Sequence, residues 1–204
     1  MRKSHVAWAA GAALAVWSIG CHSGPKQMSL EVPLTYNATE TLASDVAVTE
    51  ASPNVKLFIE VTDARTDPSK IGQNLEEDEL GPRPITGTGT PPAEFVANVL
   101  TRNFPTVGIN IVPNRADANR ILTYSLSQFF VTETGTYKAV VSGGATLTDG
   151  SGKTLWSGIV TGDNSTFGSS MKPSNYTQTL TNATIEVAEN LLKTPAFNQA
   201  LRVQ

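Results

Sequence analysis

The sequence predicts an α+β domain over residues 55–204, an antiparallel sheet of about five strands with two long helices packed on one face. An export signal over 1–20 and a tether over 21–54 precede it. Three observations predict this layout. Apolar residues alternate with period two over 55–61, 121–131, 137–147 and 155–161. They recur at spacings of three and four over 95–104 and 176–191, the signature of one-sided helices. Asp149, Gly150, Ser151 and Gly152 form a hairpin signal between two of the alternating runs. The order strand, helix, run of strands, helix then places both helices on one face of one sheet.

Residues 22–54 are rich in Ser, Thr, Pro, Asn and Ala and read as a tether, with an extended reach on the order of 100 Å. Within it Leu30, Val32 and Leu34 alternate with Ser29, Glu31 and Pro33, a short strand pattern in which Pro33 suits an edge. In the first full strand Val55, Leu57, Ile59 and Val61 share one face, while Lys56, Phe58 and Glu60 take the other. The turn over 62–68 holds Asp63, Arg65 and Asp67. These residues either satisfy local backbone and ion-pair needs or form an anion- or partner-binding corner. Residues 69–89 read as a long polar loop with four consecutive acids, Glu76 to Glu79, and several Gly and Pro breaks. No EF-hand spacing is present, so the loop reads as solvated or as docking a partner.

Thr90 caps a helix opened by Pro91 and Pro92, with Glu94 in its first turn. Its apolar face is Phe95, Val96, Val99, Leu100 and Phe104, and Pro105 ends it. Val107, Ile109 and Ile111 make a second strand. In the third, Leu122, Tyr124, Leu126 and Gln128 alternate against Ile121, Thr123, Ser125, Ser127 and Phe129. Gly143 and Gly144 interrupt the fourth and mark a bulge. After a flexible loop over 163–173, Ser174 or Asn175 caps the second helix, whose face is Tyr176, Leu180, Ala183, Val187, Ala188 and Leu191. Pro195 breaks it, and Phe197 with Leu201 mark a short terminal helix folding back.

Charge narrows the partners. The chain has 15 basic and 18 acidic residues. Arg2 and Lys3 leave with the signal, so the processed chain carries a net −5 and no basic block. That argues against nucleic acid and against an electrostatic membrane patch. Sequons at Asn37, Asn164, Asn175 and Asn182 reflect a Thr-rich composition.

The N-terminus carries an address. Arg2 and Lys3 precede an apolar run from Val6 to Trp17, which suits a signal and is too short for a span of ~20 residues. Ser18, Ile19 and Gly20 lead into Cys21, the one cysteine of the chain. This Gly20-Cys21 ending resembles the lipobox of bacterial lipoproteins, with Ser18 where that pattern more often has Leu. The resemblance implies cleavage between Gly20 and Cys21, a diacylglyceryl thioether on Cys21 and an acylated new N-terminus. His22, where Asp tends to mark inner-membrane retention, implies the outer membrane. The alternative is an unpaired thiol after an ordinary secretory signal, with no second cysteine to pair it.

The strand ending Val61 to Asp67, the helix over 95–104, Ala116-Asp117 before a long strand, Trp156-Ser157-Gly158 after a glycine hairpin and a final amphipathic helix resemble the YajG-type lipoproteins. The layout is also similar to that of ABC-transport auxiliary lipoproteins. Either resemblance implies an envelope lipoprotein and no particular chemistry.

The two histidines are His5, inside the signal, and His22, beside the lipid, which removes a Ser-His-Asp triad and a His-rich zinc site from the domain. Gly87-Thr88-Gly89 lacks the preceding buried strand that a dinucleotide fingerprint needs. No catalytic residue, cofactor or metal is expected. The leading reading is a non-enzymatic envelope module that binds another envelope protein through the sheet face left open by the helices, with Phe58, Phe129, Tyr137 and Trp156 as its aromatic candidates. One alternative is a transporter auxiliary holding an apolar ligand between helices and sheet. A second is a carboxylate-pair hydrolase using Asp63 and Asp67 or two of the acids from Glu76 to Glu79.

Overall fold

The structure is a computed structural model that describes residues 28–43, 46, 54–76 and 81–202. Gly20, Cys21 and the signal lie outside the described residues, as do Glu77, Asp78 and Glu79. The fold is α+β. Its strands are β1 (Leu30–Leu34), β2 (Lys56–Asp63), β3 (Lys70–Asn74), β4 (Arg83–Gly89), β5 (Asn110–Ile111), β6 (Arg120–Glu133), β7 (Tyr137–Asp149) and β8 (Thr154–Thr166). The helices are α1 (Pro92–Asn103), α2 (Pro173–Lys193) and α3 (Pro195–Arg202).

The three longest strands, β6, β7 and β8, form the antiparallel meander that the alternation and the Asp149–Gly152 hairpin predict. The sheet is larger than the expected five strands, with eight among the described residues, and it is mixed rather than antiparallel. Both β2 and β3 pair parallel to β6, and β1 pairs parallel to β4. A parallel β2–β6 pair needs a long crossover, which the β3–β4 hairpin and α1 supply.

Two stretches read as loop or tether contain strands. Most of 69–89 is the β3–β4 hairpin. Its sequences, Lys-Ile-Gly-Gln-Asn and Arg-Pro-Ile-Thr-Gly-Thr-Gly, carry almost no apolar alternation, so the register comes from β6 beside them rather than from their own pattern. β1 is the short strand expected from Leu30, Val32 and Leu34 within the stretch read as tether, and it forms an outer strand of the sheet with Pro33 on the edge. The flexible loop expected from residue 163 is shortened, because β8 continues to Thr166.

One face carries all three helices. α1 lies over β2, α2 over β6 to β8, and α3 folds back over β8 and β7. Pro195 separates α2 from α3, and Phe197 and Leu201 are buried as the pattern predicts. The core between the layers includes Leu57, Ile71, Phe104, Leu122, Tyr124, Leu147, Tyr176, Leu180 and Val187.

The bulge falls in β6 rather than at Gly143 and Gly144. The β6–β7 register shifts between Leu126 and Gln128. One extra residue reverses which face every later side chain takes. Leu122, Tyr124 and Leu126 point to the helices before it, and Phe129 and Val131 do so after it. The single alternation read from the sequence puts Phe129 on the opposite face from Leu126; the bulge brings them to the same one. Gly143 has a different task. A Cβ there would stand 2.8 Å from the Tyr124 ring, which crosses β7 to donate its hydroxyl to the Val160 carbonyl at 3.0 Å.

Candidate functional site

β2 and β3 lie end to end along the same edge of β6. β2 pairs as far as Asp63–Leu126, and β3 takes over at Gly72–Val131. Between them the chain over 64–69 leaves the sheet, and β6 passes through its bulge. Backbone groups at this corner lose their ladder partners and need others. Ala64 N–H reaches the Leu126 carbonyl at 2.9 Å. Arg65 supplies the rest.

Its Nε donates to Asp63 Oδ1 at 2.9 Å, and Nη2 donates to Asp63 Oδ2 at 2.7 Å and to the Pro68 carbonyl at 2.8 Å. Nη1 donates to the Lys70 carbonyl at 3.0 Å and the Phe129 carbonyl at 3.2 Å. A guanidinium has five N–H donors, and these five bonds use them all. The side chain is 8% exposed and lies over the Phe129 ring, 5.6 Å from its centroid. Burial opposes the charged form of Asp63, but the Arg65 side chain, its backbone N–H and its positive charge outweigh that and hold the carboxyl below its ordinary range. Asp67 is also held low, chiefly by the Ser69 hydroxyl at 2.6 Å, with the Ser69 and Lys70 N–H groups completing the turn.

Beside this corner is a depression of about 350 Å³, lined by Arg65, Asp67, Lys70, Ser127, Gln128 and Phe130 among others. Lys70 Nζ sits 5.6 Å from the Phe130 ring centroid. The structure thus brings Asp63, Arg65, Asp67 and Phe129 together, as a strut. A guanidinium with no donor left cannot grip an anion. Both aspartates are held ionised, whereas a general acid needs a raised pKa, so Asp63 and Asp67 are not set up as an acid and nucleophile pair.

The other aromatic candidates lie apart. Tyr137 is buried at the start of β7, edge-on to Tyr176 with centroids 4.8 Å apart. Trp156 is half-buried beneath α3, 5.1 Å from the Phe197 ring. With Phe129 they occupy the helix-covered side, because each shares the parity of the core residues on its strand. Phe58 alternates with buried Leu57 and falls on the open face. On that face Ile121, paired with Phe58, joins Phe130, Val140 and Ile159 as other large apolar residues, among Ser and Thr.

Sequence reasoning missed Glu133. At the end of β6 it reads as an ordinary polar residue before a turn, yet it is 1% exposed. Asn74 Nδ2 donates to it at 2.6 Å, Met171 N–H at 3.0 Å, and the Tyr176 hydroxyl through a short bond. Burial raises its pKa, but these donors outweigh it and the net shift is downward. The carboxylate ties β3, β6 and the start of α2 into one knot. Nearby, Glu76 accepts from the Gly135 N–H at 3.1 Å and from the Ser170 hydroxyl.

A second depression, about 220 Å³, is lined by Glu40, Asp163, Glu186, Glu189, Asn164 and Asn182. Burial, then the charges of Asp163, Glu189 and Glu40, raise the Glu186 pKa. Glu189 takes the Ala43 N–H at 2.7 Å and Asn182 the Thr39 N–H at 3.3 Å, so these groups dock residues 39–43 on α2. Among the described residues, no group of three His, Cys, Asp or Glu is placed to hold a metal ion. Neither depression is an apolar cavity between helices and sheet.

No protein-family model matches the chain, and no curated protein matches it. Among solved structures it is similar to a protein from Xanthomonas campestris assigned to the family model DUF330, with 13% identity, 82% of this chain and 92% of that one covered, and a TM-score of 0.47. It is also similar to the PelC dodecamer from Paraburkholderia phytofirmans, with 14% identity, 69% and 88% covered, and a TM-score of 0.42. A minor lipoprotein from Acinetobacter baumannii gives 12% identity, 71% and 92% covered, and a TM-score of 0.41. At these identities and scores the likenesses assign neither family nor function.

Proposed function

We propose that this chain is a bacterial envelope lipoprotein, held in the outer membrane by acyl chains on Cys21, whose periplasm-facing α+β domain is a non-enzymatic binding module. The observation that carries the reading is the apolar run ending at Gly20-Cys21 in a chain with no second cysteine. Each buried methylene contributes about 0.8 kcal/mol, so two or three acyl chains hold the protein stably where one would not. No helix among the described residues is long and apolar enough to cross a membrane. The open sheet face, with Phe58, Phe130, Val140 and the 84% exposed Ile159, is the surface for an envelope partner. The corner built on Asp63, Arg65 and Asp67 supports that surface from behind the β6 bulge.

The test is Cys21→Ser with fractionation and mass spectrometry of the N-terminal peptide. Native protein is expected to begin at an acylated Cys21 and to sediment with membranes, while the variant stays uncleaved or turns up in the soluble fraction. A native N-terminus before residue 21, or a bare thiol at Cys21, refutes the reading.

A further inference from the structure

The register places six strand ends side by side. Leu30 of β1 pairs with Ile85 of β4, and Arg83 of β4 pairs with Asn74 of β3. Asn74 pairs with Glu133 of β6, Glu133 with Tyr137 of β7, and Tyr137 with Thr166 of β8. One end of the sheet therefore gathers the entry into β1, the exit from β3, the β6–β7 turn and the exit from β8. Neighbouring strands lie about 4.8 Å apart, so this rim is roughly 24 Å long.

The exposed large apolar side chains concentrate there. Met28, two residues before β1, is 79% exposed; Leu75, directly after β3, is 40% exposed; Phe167, directly after β8, is 85% exposed. Each leaves its strand at this rim. Two of the three positions are held through their main-chain groups, the Met28 carbonyl accepting from the Arg83 side chain at Nε, 3.0 Å, and Leu75 N–H donating to the Glu133 carbonyl at 2.8 Å. The remaining large exposed apolar residues among those described lie elsewhere, Tyr36 past the far end of β1 and Ile159 midway along β8. Single exposed apolar residues need no explanation, whereas a row of them along one rim does.

The anchor leaves from the same rim. Because β1 belongs to the sheet, the connection from the anchor to the sheet ends at Leu30 rather than at residue 54. The roughly nine residues from Cys21 to Leu30 span at most on the order of 30 Å when fully extended. An acylated Cys21 thus holds this rim within that distance of the lipid surface. Charge says which surface. Arg83, Lys138 and Lys172 at this end are matched by Glu31, Glu76 and Glu133, so among the described residues the rim has no excess of positive charge to seek anionic lipid.

We propose that this sheet end rests on the bilayer, with Met28, Leu75 and Phe167 entering the interface of a zwitterionic leaflet beside the anchor. The proposal rests on the reading of Cys21 as lipid-bearing. It gives the second attachment that orients the domain: the sheet stands with its Glu133 end on the membrane and its open face to the side. Partly inserted aromatic and aliphatic side chains suit the headgroup region.

The processed chain has one tryptophan, Trp156, since Trp8 and Trp17 lie in the signal. The full chain, matured in cells and purified with its acyl chains, is reconstituted in vesicles of phosphatidylethanolamine and phosphatidylcholine with brominated acyl chains. Phe167→Trp and Leu75→Trp are compared with Ile159→Trp, each against wild type. The expected result is that all variants float with the vesicles, that the added emission of Phe167→Trp and Leu75→Trp falls by about half or more, and that Ile159→Trp is unquenched. Partial replacement by phosphatidylglycerol leaves the quenching unchanged. Floating protein in which Phe167→Trp and Leu75→Trp are quenched no more than Ile159→Trp overturns the rim contact and leaves the anchor standing. Protein that does not float, with an unacylated Cys21, overturns the anchor and with it the rim contact.

Discussion

At the scale of single residues, two buried ionic groups hold the chain where its strands change partners. Arg65 replaces ladder donors that β6 lacks between β2 and β3. Arg65→Ala strands the Phe129 and Lys70 carbonyls and leaves Asp63 without its cation, which should cost about 3 kcal/mol in urea denaturation. Arg65→Lys should recover little, because one ammonium cannot donate along the same fork. An unchanged midpoint in both variants would show that the corner contributes nothing to the stability of the fold. Glu133 gives a pH signature. Its folded pKa lies below its ordinary value near 4.5, so its contribution is present at neutral pH and is lost as pH falls through the folded value. Glu133→Gln should therefore lower Tm at neutral pH and flatten the loss of Tm between neutral pH and about pH 3. A variant with the wild-type acid limb would exclude the knot as its source. Arg65 was visible in the sequence as an ion-pair candidate, whereas nothing in the sequence singled out Glu133. Burial, which gives them their weight, was not visible, because it comes from elements distant in the chain.

At the scale of elements, α2 lies so close to β8 that no side chain fits between them at Gly162. A Cβ there would be driven into the Ala183 carbonyl oxygen and stand 2.5 Å from Val187 N, both helix backbone. Gly162→Ala should cost about 1–3 kcal/mol by prying α2 off the sheet. Gly144→Ala, on the open side of β7 with nothing within 4 Å of the new Cβ, should be neutral or slightly stabilising. Equal Tm shifts for the two would sink this account of the contact. Period and punctuation made α1, α2, α3 and the β6–β8 meander legible, because each carries its own apolar stripe or hairpin glycine. The β3–β4 hairpin was not legible, since its strands take their register from β6 and bury few apolar side chains of their own. The bulge at Ser127 was silent for the same reason. Nothing local in Leu-Ser-Gln-Phe distinguishes an extra residue from one more step of alternation, and only the pairing with β7, whose register shifts between Leu126 and Gln128, shows it.

At the scale of the whole molecule, the inclusion of β1 changes how an anchored domain would sit. A tether of 33 residues would let the domain explore the space around its anchor, whereas about nine residues keep one chosen end near the lipid. The sequence by itself determined the α+β class, the two long helices, the meander and the signature at Gly20-Cys21, because periodicity and a contiguous motif are local properties. Only the tertiary structure decided that the sheet has eight strands among the described residues, that Phe129, Tyr137 and Trp156 face the helices, and that Arg65 is spent within the fold. Those outcomes depend on which strands become neighbours, and pairing between segments far apart in the chain leaves no periodic trace in either one.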